Sequence, residues 1–151
     1  MKQLLIIYHS QSGNTERMAQ AVFAGARREP EITARLVRAL DAGLDDLLQA
    51  DALLIGSPEN FGTMAGAVKD FFDRTFYPAQ DHSINLPYAL FISAGNDGSG
   101  AIRQIERIVV GYPMKKVADP ALCVGEADEA MLQACEELGQ AMAAGLALGI
   151  Y

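Results

Sequence analysis

The period of the apolar residues changes repeatedly along this chain, and that alternation restricts its fold more than any other feature. Gln3 to Tyr8, Ala52 to Ile55, Ala89 to Ser93 and Ala121 to Val124 are short, almost continuously apolar runs. Runs of this kind suit strands covered on both faces, as in a parallel sheet. From Ile32 to Val37 the pattern differs: Ile32, Ala34 and Leu36 alternate with Thr33 and Arg35. That is the period of a strand with one wetter face, expected at a sheet edge. Between these runs the spacing becomes helical. Met18, Ala21, Val22, Gly25 and Ala26 form one stripe, and Met64, Ala67, Val68, Phe71, Phe72 and Thr75 form the cleanest. Ile102, Ile105, Ile108 and Val109 give a third, and Met131, Cys135, Leu138, Met142 and Leu146 a fourth. A shorter helical turn is expected around Leu44 to Leu48. All these stripes read as core packing.

Strand and helix in strict alternation imply right-handed crossovers and an open parallel sheet. The expectation is an α/β three-layer sandwich, with a five-stranded parallel sheet in the order 2-1-3-4-5. A single domain over residues 1–151 is expected. In such sheets ligands sit beyond the carboxyl ends of the strands, where strands 1 and 3 diverge. Function is therefore expected in the loops after Tyr8, Ile55 and Ser93.

Charge and composition remove several classes. A net charge of −7 argues against a nucleic-acid partner, whose phosphates are held by Lys and Arg, and against anionic membrane surfaces. No apolar run approaches the ~20 residues of a membrane span. The N-terminus enters a strand at once with no small-residue cleavage site after it, so no signal peptide is expected and a cytoplasmic location is the default. Cys123 and Cys135 match no metal spacing and read as small buried hydrophobes.

The first loop reads Ser10-Gln11-Ser12-Gly13-Asn14-Thr15, between a strand and a helix. Gly13 lets the backbone turn tightly, so that the helix-start amides face the ligand space with the positive end of the dipole. Hydroxyls of Ser10, Ser12 and Thr15 are additional donors. Simple capping needs one such residue; this loop offers four and suits a phosphate, without lysine. The chain has no Gly-x-x-x-x-Gly-Lys-Ser/Thr, which argues against a nucleotide triphosphatase. His9-Ser10 and Gly56-Ser57 stand where a phospho-receiver carries acidic residues.

The second loop, Gly56-Ser57-Pro58-Glu59-Asn60-Phe61-Gly62-Thr63-Met64, runs into the helix with the cleanest stripe. Pro58 stiffens its entry, Gly62 permits close approach to a flat ligand, and Phe61 offers an apolar face. Glu59 reads as a structural carboxylate. The third loop is Ser93-Ala94-Gly95-Asn96-Asp97-Gly98-Ser99-Gly100. Its glycines do not fall at dinucleotide spacing. Asp97 or Ser99 is a candidate cap there. His9 reads as a polar contact. Phe76 and Tyr77 have three open readings: cover for a ligand, contact with another subunit, or closure of the core. Tyr112 reads as a helix-ending aromatic.

The Ser-x-Ser-Gly-Asn-Thr loop resembles the phosphate loop of the flavodoxin family, which holds the terminal phosphate of FMN. The second loop, continuing into Phe71-Phe72-Asp73-Arg74-Thr75, resembles the corresponding segment of flavodoxin-like NAD(P)H:quinone oxidoreductases. The resemblance implies an FMN-binding redox protein. Its phosphate would lie at Ser10, Gln11, Ser12, Gly13, Asn14 and Thr15. Its ring would lie at Ser57, Pro58, Glu59, Asn60, Phe61, Gly62 and Thr63 and at Ser93, Ala94, Gly95, Asn96 and Asp97. No acid–base constellation is visible, and hydride transfer to a flavin needs none. Two functions follow, beside a third reading as a flavin-binding or flavin-free interaction module. One is a reductase passing electrons from NAD(P)H to a quinone-like acceptor, a class that often builds its acceptor pocket between subunits. The other is an electron carrier whose acidity steers it to basic redox proteins.

Overall fold

The computed structural model describes residues 1–151. The first half contains β1 (Lys2–Tyr8), α1 (Asn14–Ala26), β2 (Ile32–Arg38), α2 (Leu44–Gln49), β3 (Ala52–Asn60) and β4 (Thr63–Met64). The second half contains α3 (Gly66–Ala79), β5 (Pro87–Ala94), α4 (Ser99–Val109), β6 (Lys115–Lys116), β7 (Ala121–Val124) and α5 (Glu129–Ala147). The fold is flavodoxin-like α/β, with β2, β1, β3 and β5 neighbours in that order and parallel throughout.

The fifth position is shared by two short strands. β6 pairs with Pro87 and Tyr88 at the start of β5, and β7 pairs with Phe91 to Ala94 at its end. The expected order 2-1-3-4-5 therefore holds with its last strand split. Pro120 lies in the break and has no N–H to give the ladder, which is tolerated at an edge. β4 is the other departure from expectation. It runs antiparallel to the end of β3, pairing Glu59 with Met64 and Asn60 with Thr63.

Pleating sorts the buried runs onto two faces. Leu5, Ile7, Leu53, Ile55, Leu90 and Ile92 pack with Phe71, Phe72 and Ile105 of α3 and α4. Leu4, Ile6, Leu54, Ala89 and Phe91 pack with Met18, Val22, Cys135 and Met142 of α1 and α5. Burying one such large side chain contributes about 1.5–3 kcal/mol, so the central strands carry most of the core. β2 is mostly half-buried, as its alternation predicts. On the second face α1 and α5 pack backbone to backbone. A Cβ on Gly25 would strike the carbonyl oxygen of Glu136, and one on Gly139 that of Val22.

Four loops gather at the carboxyl ends of β1, β3, β5 and β7. No helix is long and apolar enough to cross a membrane.

Candidate functional site

α1 starts without a side-chain cap, and its N-cap residue is Gly13 in the left-handed region (φ 99°). First-turn amides have no acceptor inside their own helix, so those of Asn14, Thr15 and Glu16 face out of its end. Ser10 Oγ accepts the Gly13 N–H at 3.1 Å and curls the loop around that end.

Other residues of this loop bind the framework. Thr15 was expected to donate to a ligand, but it is buried, with its Oγ1 2.7 Å from Ser93 Oγ. Asn14 donates Nδ2–H to the Gly125 carbonyl and accepts the Ala127 N–H at Oδ1, both at 2.9 Å. Gln11 Oε1 accepts from Asn60 Nδ2 at 2.8 Å. The first loop thus ties together the other three.

The second loop is a tight hairpin. Phe61 (φ 55°) and Gly62 (φ 76°) form its two-residue turn, the geometry that best matches strand twist and that favours Asn or Gly over a bulky residue. Ser57 is fully buried. Its Oγ accepts the Ala65 N–H at 2.9 Å and donates to the Pro58 carbonyl at 2.7 Å, closing the hairpin from inside. Its side chain does not face the cleft where the sequence reading placed it.

Glu59 Oε1 accepts the Gly98 N–H at 3.0 Å, and Oε2 accepts the Ala101 N–H at 3.1 Å. This remote carboxylate caps α4, where its charge complements the helix dipole. Gly100 lets the hairpin lie close, since a Cβ there would meet the Gly62 carbonyl. Phe61 packs on nothing within the chain and is fully exposed.

In the third loop Ser93 and Ala94 are buried, while Gly95, Asn96 and Asp97 are exposed. Asp97 accepts the Ser99 hydroxyl at 2.7 Å and its N–H at 3.3 Å. Those two bonds hold its carboxyl below the usual carboxylate range. Tyr112 closes the core: its hydroxyl lies 2.8 Å from Thr75 Oγ1, and burial pushes it up to about 12. Phe76 packs edge-on against Tyr112, whereas Tyr77 is exposed. Cys123 and Cys135 are free buried thiols.

Sequence reasoning missed a fourth loop, Gly125 to Asp128, and the neighbouring Arg17. Gly125, at φ 89°, ends the last strand. Asp128 caps α5 by accepting the Met131 N–H at 2.9 Å. A glycine after an apolar run and an aspartate before a helix were the available signals.

These loops enclose a cleft of about 430 Å³, lined by Ser12, Asn14, Arg17, Pro58, Ser93, Ala94, Gly95 and Glu126, among others. Uncapped amides, Ser12 and Arg17 favour an anion at one end. Arg17 also reaches Glu126 at 3.7 Å, an exposed pair that gives up little when another anion competes.

The model of the family described as Flavodoxin matches residues 6–139. The chain belongs to the flavodoxin family. It is 35% identical over 100 residues to a flavodoxin of Aquifex aeolicus, covering 66% of this chain and 54% of that protein. It therefore spans about half the length of that relative. It is 32% identical over 143 residues to an NAD(P)H dehydrogenase (quinone) of Paracoccus denitrificans, covering 75% of this chain and 69% of that one. Among solved structures, an archaeal flavodoxin superimposes with a TM-score of 0.83 at 25% identity, over 95% of this chain and 98% of that one.

Proposed function

We propose that the chain binds FMN in the four-loop cleft and passes electrons from NAD(P)H to a quinone-like acceptor. The observation that carries this reading is the uncapped start of α1 at left-handed Gly13, at one end of a cleft bounded by the hairpin and third loop. Loops with free amides and no carboxylate among Ser10 to Thr15 fit a phosphate. FMN, when bound, supplies the redox chemistry; the chain supplies placement and electrostatics.

The outward amides of α1, the Ser12 hydroxyl and Arg17 would hold the phosphate, with Ser10 curling the loop around it. Asn14, Thr15 and Gln11 act one step removed, fixing this loop to its neighbours. Pro58, with Asn60 and the Phe61–Gly62 turn beyond it, would flank one side of the ring, and Ala94 and Gly95, with Asn96 and Asp97, the other. Ser57, Glu59 and Ser93 set the spacing between those walls, and Thr63 completes the hairpin ladder. Similarity to the Paracoccus NAD(P)H dehydrogenase (quinone) over three quarters of the chain supports the donor and acceptor.

The second reading, a carrier serving a basic redox protein, draws on the net charge of −7 and the near full-length match to an archaeal flavodoxin.

The FMN reading is tested by titrating the flavin-free chain with FMN and with riboflavin, following flavin fluorescence. FMN is expected to bind at least about tenfold more tightly, since charge-assisted hydrogen bonds contribute roughly 1.5–3 kcal/mol each. Gly13→Val should erase that difference, because a branched side chain disfavours the left-handed backbone there. Equal affinities in the wild type would overturn the phosphate assignment. Anaerobic addition of NADH or NADPH to the FMN-loaded chain then separates the two functions. Bleaching of the visible absorbance supports the reductase; no change with either nucleotide, but reduction by dithionite, supports the carrier.

A further inference from the structure

Asp97 is the one aspartate of the chain that glycine follows. Its carboxyl group is exposed, and both oxygens reach forward: Oδ2 accepts the Ser99 hydroxyl at 2.7 Å, and Oδ1 the Ser99 N–H at 3.3 Å. The side chain therefore arches over the Asp97–Gly98 peptide, with its carboxyl carbon toward the Gly98 nitrogen. Gly98 has no Cβ to crowd that nitrogen. This is the arrangement from which a succinimide closes.

In that closure the Gly98 nitrogen attacks the carboxyl carbon of neutral Asp97. The new N–C bond replaces the C–OH bond, and the hydroxyl leaves as water with the amide proton. Another water then opens the ring at either carbonyl. One opening returns aspartate; the other leaves isoaspartate, with the main chain routed through Cβ. Water is the only co-reactant.

Two contacts oppose the reaction. The Gly98 N–H donates to Glu59 Oε1 at 3.0 Å, and attack requires that this bond break. Glu59 reaches it from β3, where pairing with Met64 holds it in the hairpin ladder, and its other oxygen accepts the Ala101 N–H at 3.1 Å. The Ser99 bonds hold Asp97 below the usual carboxylate range, which keeps the acid ionised and unable to lose water. An isoaspartate would lengthen the main chain by one atom, so that Gly98 and Ala101 no longer both reach Glu59. We propose that Asp97–Gly98 is a site of spontaneous isoaspartate formation, and that Glu59 is the positioning residue that restrains it by holding the Gly98 amide. The inference stands independently of the flavin reading.

The full chain, incubated at mildly acidic pH below its melting range and then digested with trypsin, tests it. The peptide Thr75–Arg103 carries Asp97, and chromatography with fragment-ion spectra separates its isoaspartyl form. Glu59→Ala is expected to accumulate isoaspartate at position 97 at least about tenfold faster than the wild type, the factor for one lost charge-assisted hydrogen bond. Asp128→Ala removes the cap of α5 instead and should leave the rate unchanged, which separates general loosening from loss of the guard. Wild type unfolded in urea should isomerise at least as fast as Glu59→Ala. Asp97→Glu should give no isomer at 97, since its longer side chain does not close the same ring. Absence of isoaspartate even in the unfolded chain overturns the site. A Glu59→Ala rate equal to that of the wild type, or an Asp128→Ala rate raised just as much, overturns the role of Glu59.

Discussion

Thr15 and Ser93 share one buried hydrogen bond, and neither hydroxyl has water to fall back on. Thr15→Val is expected to cost about 1–3 kcal/mol, the penalty of leaving the Ser93 hydroxyl unpaired. Adding Ser93→Ala should recover part of that loss. Urea denaturation of the two single variants and the double variant measures the coupling. Glu59 does comparable work from the hairpin. Glu59→Ala removes the acceptor of the Gly98 and Ala101 amides at the start of α4 and is expected to cost about 1–2 kcal/mol, the usual cost of losing a helix cap. Faster hydrogen exchange at Gly98 and Ala101 would localise the effect; unchanged exchange there would contradict the capping role. The tight turn at Gly13 was legible from residue type alone. The roles of Thr15, Ser57 and Glu59 were not, because each depends on a partner remote along the chain or on burial.

At the level of elements, the hairpin turn and the α1–α5 contact have opposite tolerances. Phe61 occupies a positive-φ position with its side chain in solvent. Phe61→Gly is therefore expected to leave stability unchanged or raise it by up to about 1 kcal/mol. A large loss on thermal melting would mean that the ring has a contact within its own chain. Gly139→Leu should cost at least about 3 kcal/mol, since the new side chain meets the Val22 carbonyl and two helices must separate. Helix and strand periods announced most of these elements. β4 escaped because two residues carry no readable period, and the break between β6 and β7 showed only as Pro120.

Across the whole molecule, buried thiols and phenols, Cys135 and Tyr112 among them, give stability an alkaline limit. Burial raises Cys135 from 9.0 to about 12, and Tyr112 from 10.0 to about 12. Both are neutral when protonated, so below pH 9 neither group favours the unfolded chain. Above that, the unfolded chain releases these protons first and the native state cannot follow, so stability falls toward pH 12. The melting temperature is expected to decline above pH 9, and Cys135→Ala should flatten the first part of that decline. An identical slope in the variant would remove Cys135 as a cause.

The order of periods along the chain determined the layers, the parallel sheet and the end at which the loops meet. Period alone decides which side chains share a face, and it is a local property. Only the closed structure decided which polar residues are framework and which remain free for a ligand. Asn14 finds its partner 111 residues away, Thr15 78 away and Glu59 39 away. A polar group must be paired only once folding has removed its water, and which groups lose it is settled by the tertiary contacts.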